Sequence, residues 1–150
     1  MGYNMLLGQF KHSLDDKGRI IVPTRFRTKL GEQVVISKGF DGCLVLRAYD
    51  VFIKWQEQIL LSSEGLKDSR ILQRQIFANS LELNIDKVGR INIPSSLLIL
   101  ANIKKEVMII GLSNKIEIWD IKVWENYLVN DENNLEQSAQ NLIMNIEEKN

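Results

Sequence analysis

The stretch Asp15–Gly31, DDKGRIIVPTRFRTKLG, occurs twice in this chain. Sliding the sequence by 71 places lays Asp15 on Asp86, Gly18 on Gly89, Arg19 on Arg90 and Pro23 on Pro94, within a second copy, DKVGRINIPSSLLILAN, at Asp86–Asn102. The apolar positions agree too: Ile20 with Ile91, Val22 with Ile93, Phe26 with Leu97, Leu30 with Ala101. A shared frame of D-x-x-x-R, apolar alternation and then Pro marks an internal duplication, and a duplicated unit restricts the fold to arrangements in which two like units bury one another. The 150 residues are enough for one ordinary domain or two very small ones with a shared core.

Each copy reads the same way. Met5–Ser13 is a strand with mixed aliphatic and polar positions, and Asp15-Asp16-Lys17-Gly18 is a turn, where Asp bonds nearby amides and Gly accepts positive φ. Arg19–Val22 alternates out of that turn, so the two segments are expected to form a hairpin with an exposed basic tip. Pro23 suits the first turn of a helix in which Phe26 and Leu30 share a face, and Gly31 ends it. Val34–Ser37 and Cys43–Leu46 are strands around Gly39–Gly42; Asp50 is expected to cap a helix carrying Val51, Trp55 and Ile59, and Leu66–Asn79 is a further helix. In the second half the offset becomes 72, with Gly39 on Gly111, Leu44 on Ile116, Leu46 on Ile118 and Phe52 on Trp124. The repeat unit is thus strand, turn, strand, short helix, strand, strand, helix. The expected division is residues 1–62 for the first repeat, 63–80 for a connecting helix, 81–130 for the second repeat and 131–150 for an acidic tail. In that tail Leu135, Ala139, Leu142 and Ile146 stand at helical spacing.

The formal net charge is zero, but it is unevenly placed. Residues 1–30 hold Lys11, Lys17, Arg19, Arg25, Arg27 and Lys29 against Asp15 and Asp16, while residues 131–150 hold Asp131, Glu132, Glu136, Glu147 and Glu148 against Lys149. A phosphate responds to the local field, not to the sum. At the positions of Lys17, Arg25, Arg27 and Lys29 the second copy has Val88, Ser96, Leu98 and Leu100, so the first copy is the basic one and the second suits subunit packing. Cys43 is the single cysteine and reads as a small buried or turn residue in a reducing compartment. No apolar run reaches the roughly 20 residues of a membrane span, and the opening MGYNMLLGQFKHS has no secretory pattern; no membrane association is expected.

Enzyme chemistry finds little footing. One histidine, His12, and one cysteine exclude Cys/His metal clusters, and no nucleophile elbow, phosphate loop or dinucleotide fingerprint is present. Neither cofactor, metal nor small-molecule substrate is therefore expected. Asp15 and Asp86 can in principle form an acid–base pair, a hydrolase reading that requires them within about 10 Å in an assembly. A DNA-binding use fits the frame more closely. A glycine tip lets backbone approach a phosphate, Lys17 offers a point charge, and Arg19 offers a planar fork to guanine O6 and N7, with Asp15 bonding the turn backbone and orienting it. A solvated charged turn is the plain alternative.

Leu14–Arg27 (LDDKGRIIVPTRFR), Ile85–Pro94 (IDKVGRINIP) and Glu117–Asp120 (EIWD) resemble the MraZ family of bacterial transcriptional regulators, and the likeness runs over nearly the whole chain. The resemblance implies a mainly β, α+β fold: an internally duplicated, swapped-hairpin AbrB-like β-barrel with helices packed outside. It also implies closed homo-oligomeric rings, an octamer among them, that bind tandem short repeats in double-stranded DNA upstream of a cell-wall and division gene cluster. Carried onto this chain, the DNA-binding positions are Lys17, Gly18 and Arg19, with Arg90 retained in the second copy and Asp15, Asp86 and Gly89 shaping the loops. Arg27 matches the family's Arg after the Pro, whereas Leu98 departs from it. A cytoplasmic, nucleoid-associated regulator follows, with a ring-forming scaffold as the alternative.

Overall fold

The computed structural model describes the backbone of residues 5–149 and the side chains of residues 5–147. The first four residues of the opening read for a leader, and Asn150 at the end of the tail, lie outside the described residues. In chain order the first half runs β1 (Leu6–Ser13), β2 (Arg19–Ile21), α1 (Thr24–Leu30), β3 (Gln33–Lys38), β4 (Leu44–Ala48) and α2 (Tyr49–Leu60), and α3 (Lys67–Phe77) follows it. The second contributes β5 (Ser80–Asn84), β6 (Arg90–Asn92), α4 (Ser95–Leu100), β7 (Glu106–Ser113), β8 (Ile116–Asp120) and α5 (Ile121–Val129), followed by a 3-10 turn (Asp131–Asn133) and α6 (Leu135–Lys149).

The class is α+β, and the two repeats interleave. Six strands form one antiparallel sheet in the order β1-β7-β8-β4-β3-β5, while β2 and β6 pair with each other as a separate ribbon. Exchanging the repeats maps the sheet order onto its own reverse. A pseudo-twofold axis therefore passes between β8 and β4, where Val45 faces its counterpart Glu117, and through the ribbon, where Ile20 faces Ile91. Each repeat's first strand pairs with the third strand of the other.

Three expectations change. The sheet is not closed into a barrel: β1 and β5 are its open edges, and the ribbon strands, three residues each, pair together instead of bridging those edges. The hairpin expected between β1 and β2 is absent, because the turn chemistry closes the loop but the two strands leave it for different sheets. The offset along β3 and β7 is 73, since Val34 pairs with Ala48 as Val107 pairs with Asp120. Gly39 therefore does not correspond to Gly111; two residues are gained after the short helix and one is lost in the following hairpin.

Hydrophobic burial explains the layering. On the inner face, Leu6, Val34, Ile36, Leu44, Leu46, Val107, Ile109, Ile116 and Ile118 form one core with Ile20, Val22, Ile91 and Ile93 of the ribbon and with Phe26, Leu30, Leu97 and Ala101 of α1 and α4. Phe26 also takes the edge of Phe10 at 5.3 Å between ring centroids. Fully burying side chains of this size contributes roughly 1.5–3 kcal/mol each. On the outer face Cys43, Val45, Ile110 and Trp119 pack beneath Val123, Trp124 and Tyr127 of α5. There burial pushes the Cys43 thiol up, with the Glu117 carboxylate adding to the shift.

Under α2 the outer face buries a cation. Arg47 is 4% exposed, its guanidinium lies 3.6 Å from the centroid of the Trp55 ring, and burial brings its pKa down to about 10. Asp50 does not cap α2, which begins one residue earlier at Tyr49; Ala48 stands at the N-cap without a side-chain bond. Asp120 does cap α5, accepting from the backbone N–H of Lys122 and Val123, and it also accepts from Lys104. Among the described residues, no helix is long and apolar enough to cross a membrane.

Candidate nucleic-acid interface

The two loops that enter the ribbon have one geometry. In the first, the backbone N–H of Asp15 donates to Arg19 O at 2.9 Å and Gly18 N–H donates to Asp15 O at 3.1 Å. The Asp15 side chain closes the turn: Oδ1 accepts from the backbone N–H of Lys17 and of Arg19, both at 2.9 Å, and Oδ2 accepts from Arg19 Nε at 2.6 Å. In the second, Asp86 Oδ1 accepts from Val88 N–H at 2.9 Å and Arg90 N–H at 2.8 Å, and Oδ2 accepts from Arg90 Nε at 2.9 Å. Gly18 and Gly89 take φ of 77° and 93°, the left-handed region where a Cβ is penalised. The motif is thus a self-contained device: Asp fixes the backbone, Gly permits the turn, and the same carboxylate aims the Arg.

These pairs do little for stability. The side chains are 29% and 37% exposed in the Arg19–Asp15 pair, and 30% and 39% in the Arg90–Asp86 pair. Solvent and salt screen pairs this exposed, so they are weak contributors. They do set direction: Nε is engaged, and among the described residues neither arginine makes a further hydrogen bond through its terminal nitrogens. Both carboxyls are held below the ordinary aspartate value of 3.8, chiefly by the backbone N–H of the loop arginine. Two carboxylates sharing a proton would show the opposite, with one of them raised. Neither loop carboxyl is raised as a general acid would be, and among the described residues no group of His, Cys, Asp and Glu could hold a metal.

The ribbon ties the loops together. Arg19 pairs with Asn92 and Arg90 with Ile21, so the two arginines stand at opposite ends. Beyond the strands the ladder continues: Val22 N–H donates to Gly89 O at 2.9 Å, and Ile93 N–H donates to Gly18 O at 3.0 Å. Each loop glycine is therefore clamped by the segment leading into the other repeat's short helix.

That crossing moves a residue from where the sequence seats it. Arg27 of α1 donates from Nε to Val22 O at 2.8 Å and spreads its guanidinium across Gly89, so closely that a Cβ there would overlap its atoms. At the equivalent place on the first loop stands Leu98 of α4, whose Cδ1 is 3.6 Å from where a Gly18 Cβ would lie. Arg27 lies beside the second loop, and Leu98 beside the first. An open cavity of about 550 Å³ lies there, lined by Arg27, Gly31, Glu32, Ile85, Asp86 and Lys87. Of the other early cations, Arg25 lies 5.9 Å from the Phe10 ring centroid and Lys11 pairs with Glu106 at 3.4 Å.

Comparison with known proteins agrees with this internal symmetry. The family model "MraZ protein, putative antitoxin-like" matches twice, at residues 5–75 and 76–146, a spacing equal to the offset between the two loops. A protein of Mesoplasma florum named "Transcriptional regulator MraZ" is 43% identical over 139 residues, covering 92% of this chain and 95% of its own. A protein of the same name from Caldanaerobacter subterraneus subsp. tengcongensis is 41% identical over 138 residues, covering 92% and 96%.

Proposed function

The chain belongs to the MraZ family, one of transcriptional regulators and not of enzymes, and from that membership we propose that it is a sequence-specific DNA-binding regulator of transcription. The observation that carries the reading is the twinned Asp–Arg loop, in which a carboxylate presets the guanidinium and leaves its terminal nitrogens to solvent. A fork so fixed can donate both terminal nitrogens to guanine O6 and N7 in the major groove. Gly18 and Gly89 supply the positive φ that the tight loops require, and Lys17 supplies a positive charge beside Arg19 for a phosphate.

A single loop of this size binds weakly. Copies of the chain joined in a homo-oligomeric ring, an octamer by family resemblance, engage tandem short boxes in the promoter of a division and cell-wall gene cluster together. Linked engagement raises affinity by roughly 10² to 10⁴ without new kinds of contact. The proposed organisation keeps residues 1–62 and 81–130 as the two repeats, 63–80 as the connection and 131–150 as the tail. Its place is the cytoplasm, on the nucleoid.

The test is binding to promoter DNA carrying tandem repeats by wild type and Arg19→Ala, with native mass measured in parallel. Arg19→Ala should keep its assembly and lose about 5- to 150-fold in affinity, the span of one bidentate base contact. A correctly assembled Arg19→Ala protein with normal affinity overturns the reading. A second reading, a ring-forming scaffold with incidental DNA contact, draws on the exposed apolar side chains of α6 and on Ile99, 75% exposed on α4. It predicts no steep loss of DNA affinity with salt and no preference for tandem boxes.

A further inference from the structure

We propose that Arg27 is a DNA-phosphate contact of the second loop, so that the Asp86–Arg90 tip is a composite site built from both repeats. The inference rests on the DNA-binding reading above and deepens it. Three observations carry it. The Arg27 guanidinium lies across Gly89, not across the glycine of its own repeat. Its Nε is engaged by Val22 O, which fixes the plane, and among the described residues its terminal nitrogens make no hydrogen bond. It lines an open cavity with Lys87, beside the Asp86 carboxylate that Arg90 already occupies.

The crossing places one arginine where the linear sequence does not. At the second tip Arg27, Lys87 and Arg90 face Asp86 and Glu32, leaving an excess of one positive charge. At the first tip Lys17 and Arg19 stand with Asp15 and Asp16, Lys105 takes the place of Glu32, so the sum is the same, and the crossing residue is Leu98 in place of an arginine. Loss of the arginine in the second copy therefore weakens the first loop, while the arginine of the first copy serves the second. A fixed guanidinium next to a base-reading arginine suits the phosphate flanking the base that arginine reads.

The experiment measures promoter-DNA affinity against salt for wild type, Arg27→Leu and Leu98→Arg, together with Arg19→Ala, Arg90→Ala and the double variants. Leucine already occupies the equivalent place at position 98, so Arg27→Leu is compatible with the fold. Arg27→Leu should lower the slope of log affinity against log salt by about 0.9, the value of one phosphate contact. Its effect should be non-additive with Arg90→Ala and additive with Arg19→Ala. Leu98→Arg, which installs the missing group at the first loop, should steepen the slope by a similar amount. A merely structural Arg27 would change the melting temperature and leave the slope unchanged, and that result overturns the proposal, as does coupling to Arg19 in place of Arg90. Should Arg27→Leu fail to fold, Leu98→Arg decides alone, and an unchanged slope there overturns it. A wild type without salt-dependent binding overturns the DNA reading itself; a salt-steep, Arg19-sensitive wild type with an inert Arg27 overturns only this inference.

Discussion

Each loop aspartate accepts two backbone N–H bonds and one guanidinium bond, and this concentration of donors explains its depressed pKa. The sign of the pH dependence follows. A carboxyl whose folded pKa lies below its unfolded value contributes in full above the unfolded value and loses that contribution as the pH falls through the folded one. Loop order, and DNA affinity with it, should therefore persist from neutrality down to the ordinary aspartate value of 3.8 and fail only below it. Side-chain carbon NMR should show Asp15 and Asp86 titrating below that value; either one at or above it contradicts the loop geometry. This much is visible in sequence, because an Asp, a Gly and an Arg within five residues interact locally whatever the rest of the chain does. The seat of Arg27 is not visible there. Its contact with Gly89 spans a separation that local patterning does not encode, and charge counted along the chain assigns it to the wrong tip.

Among the elements, β1 and β7 show how the exchange between repeats is enforced. Gly8 pairs with Gly111, and a Cβ on Gly111 would stand 2.5 Å and 2.6 Å from Leu6 C and O. Those atoms are backbone and cannot swing aside. Gly111→Ala should cost about 1–3 kcal/mol in urea unfolding, the usual range for forced backbone shifts. Gly65→Ala is the matched control: there the nearest atom is Ser63 Oγ at 3.4 Å, and a change within about 0.5 kcal/mol is expected. Equal effects from the two would mean that β1 and β7 do not approach so closely at Gly111. Periodicity reveals most of the elements, since alternating burial and i, i+4 pairs such as Phe26 and Leu30 are short-range signals. Strand partners are chosen by the other repeat. A turn that reads as a β1–β2 hairpin therefore feeds two sheets, and a barrel expected from family likeness is an open sheet under a ribbon.

For the molecule as a whole, the pseudo-twofold axis makes the two halves alike in backbone and unlike in charge. The described side chains of α6 are all exposed: Leu135 is 82%, Leu142 63% and Ile146 60% exposed. A helix that buries so little within the chain adds little to its stability. Truncation after Asn134 should leave the melting temperature of the body within a few degrees of wild type. A large loss that does not depend on protein concentration would show α6 packing on its own body. The Asn133 side chain, which donates from Nδ2 to Tyr127 O at 2.9 Å, is kept by that cut.

The pairing of β1 with β7 also sets a timetable. On the ribosome, β1 emerges first, and its partner follows roughly 100 residues later, which at about 5–20 residues per second is a delay of some 5–20 s. Through that interval Leu6 and Phe10 have no native strand to cover them, and the first repeat has neither its ribbon partner β6 nor its edge partner β7. Neighbouring nascent chains on one message offer the same strands in the same order. A β1 that pairs with another chain's β7 makes every native bond between the wrong molecules. Nascent-chain crowding on polysomes is thus the condition under which this fold is most exposed to intertwined assembly.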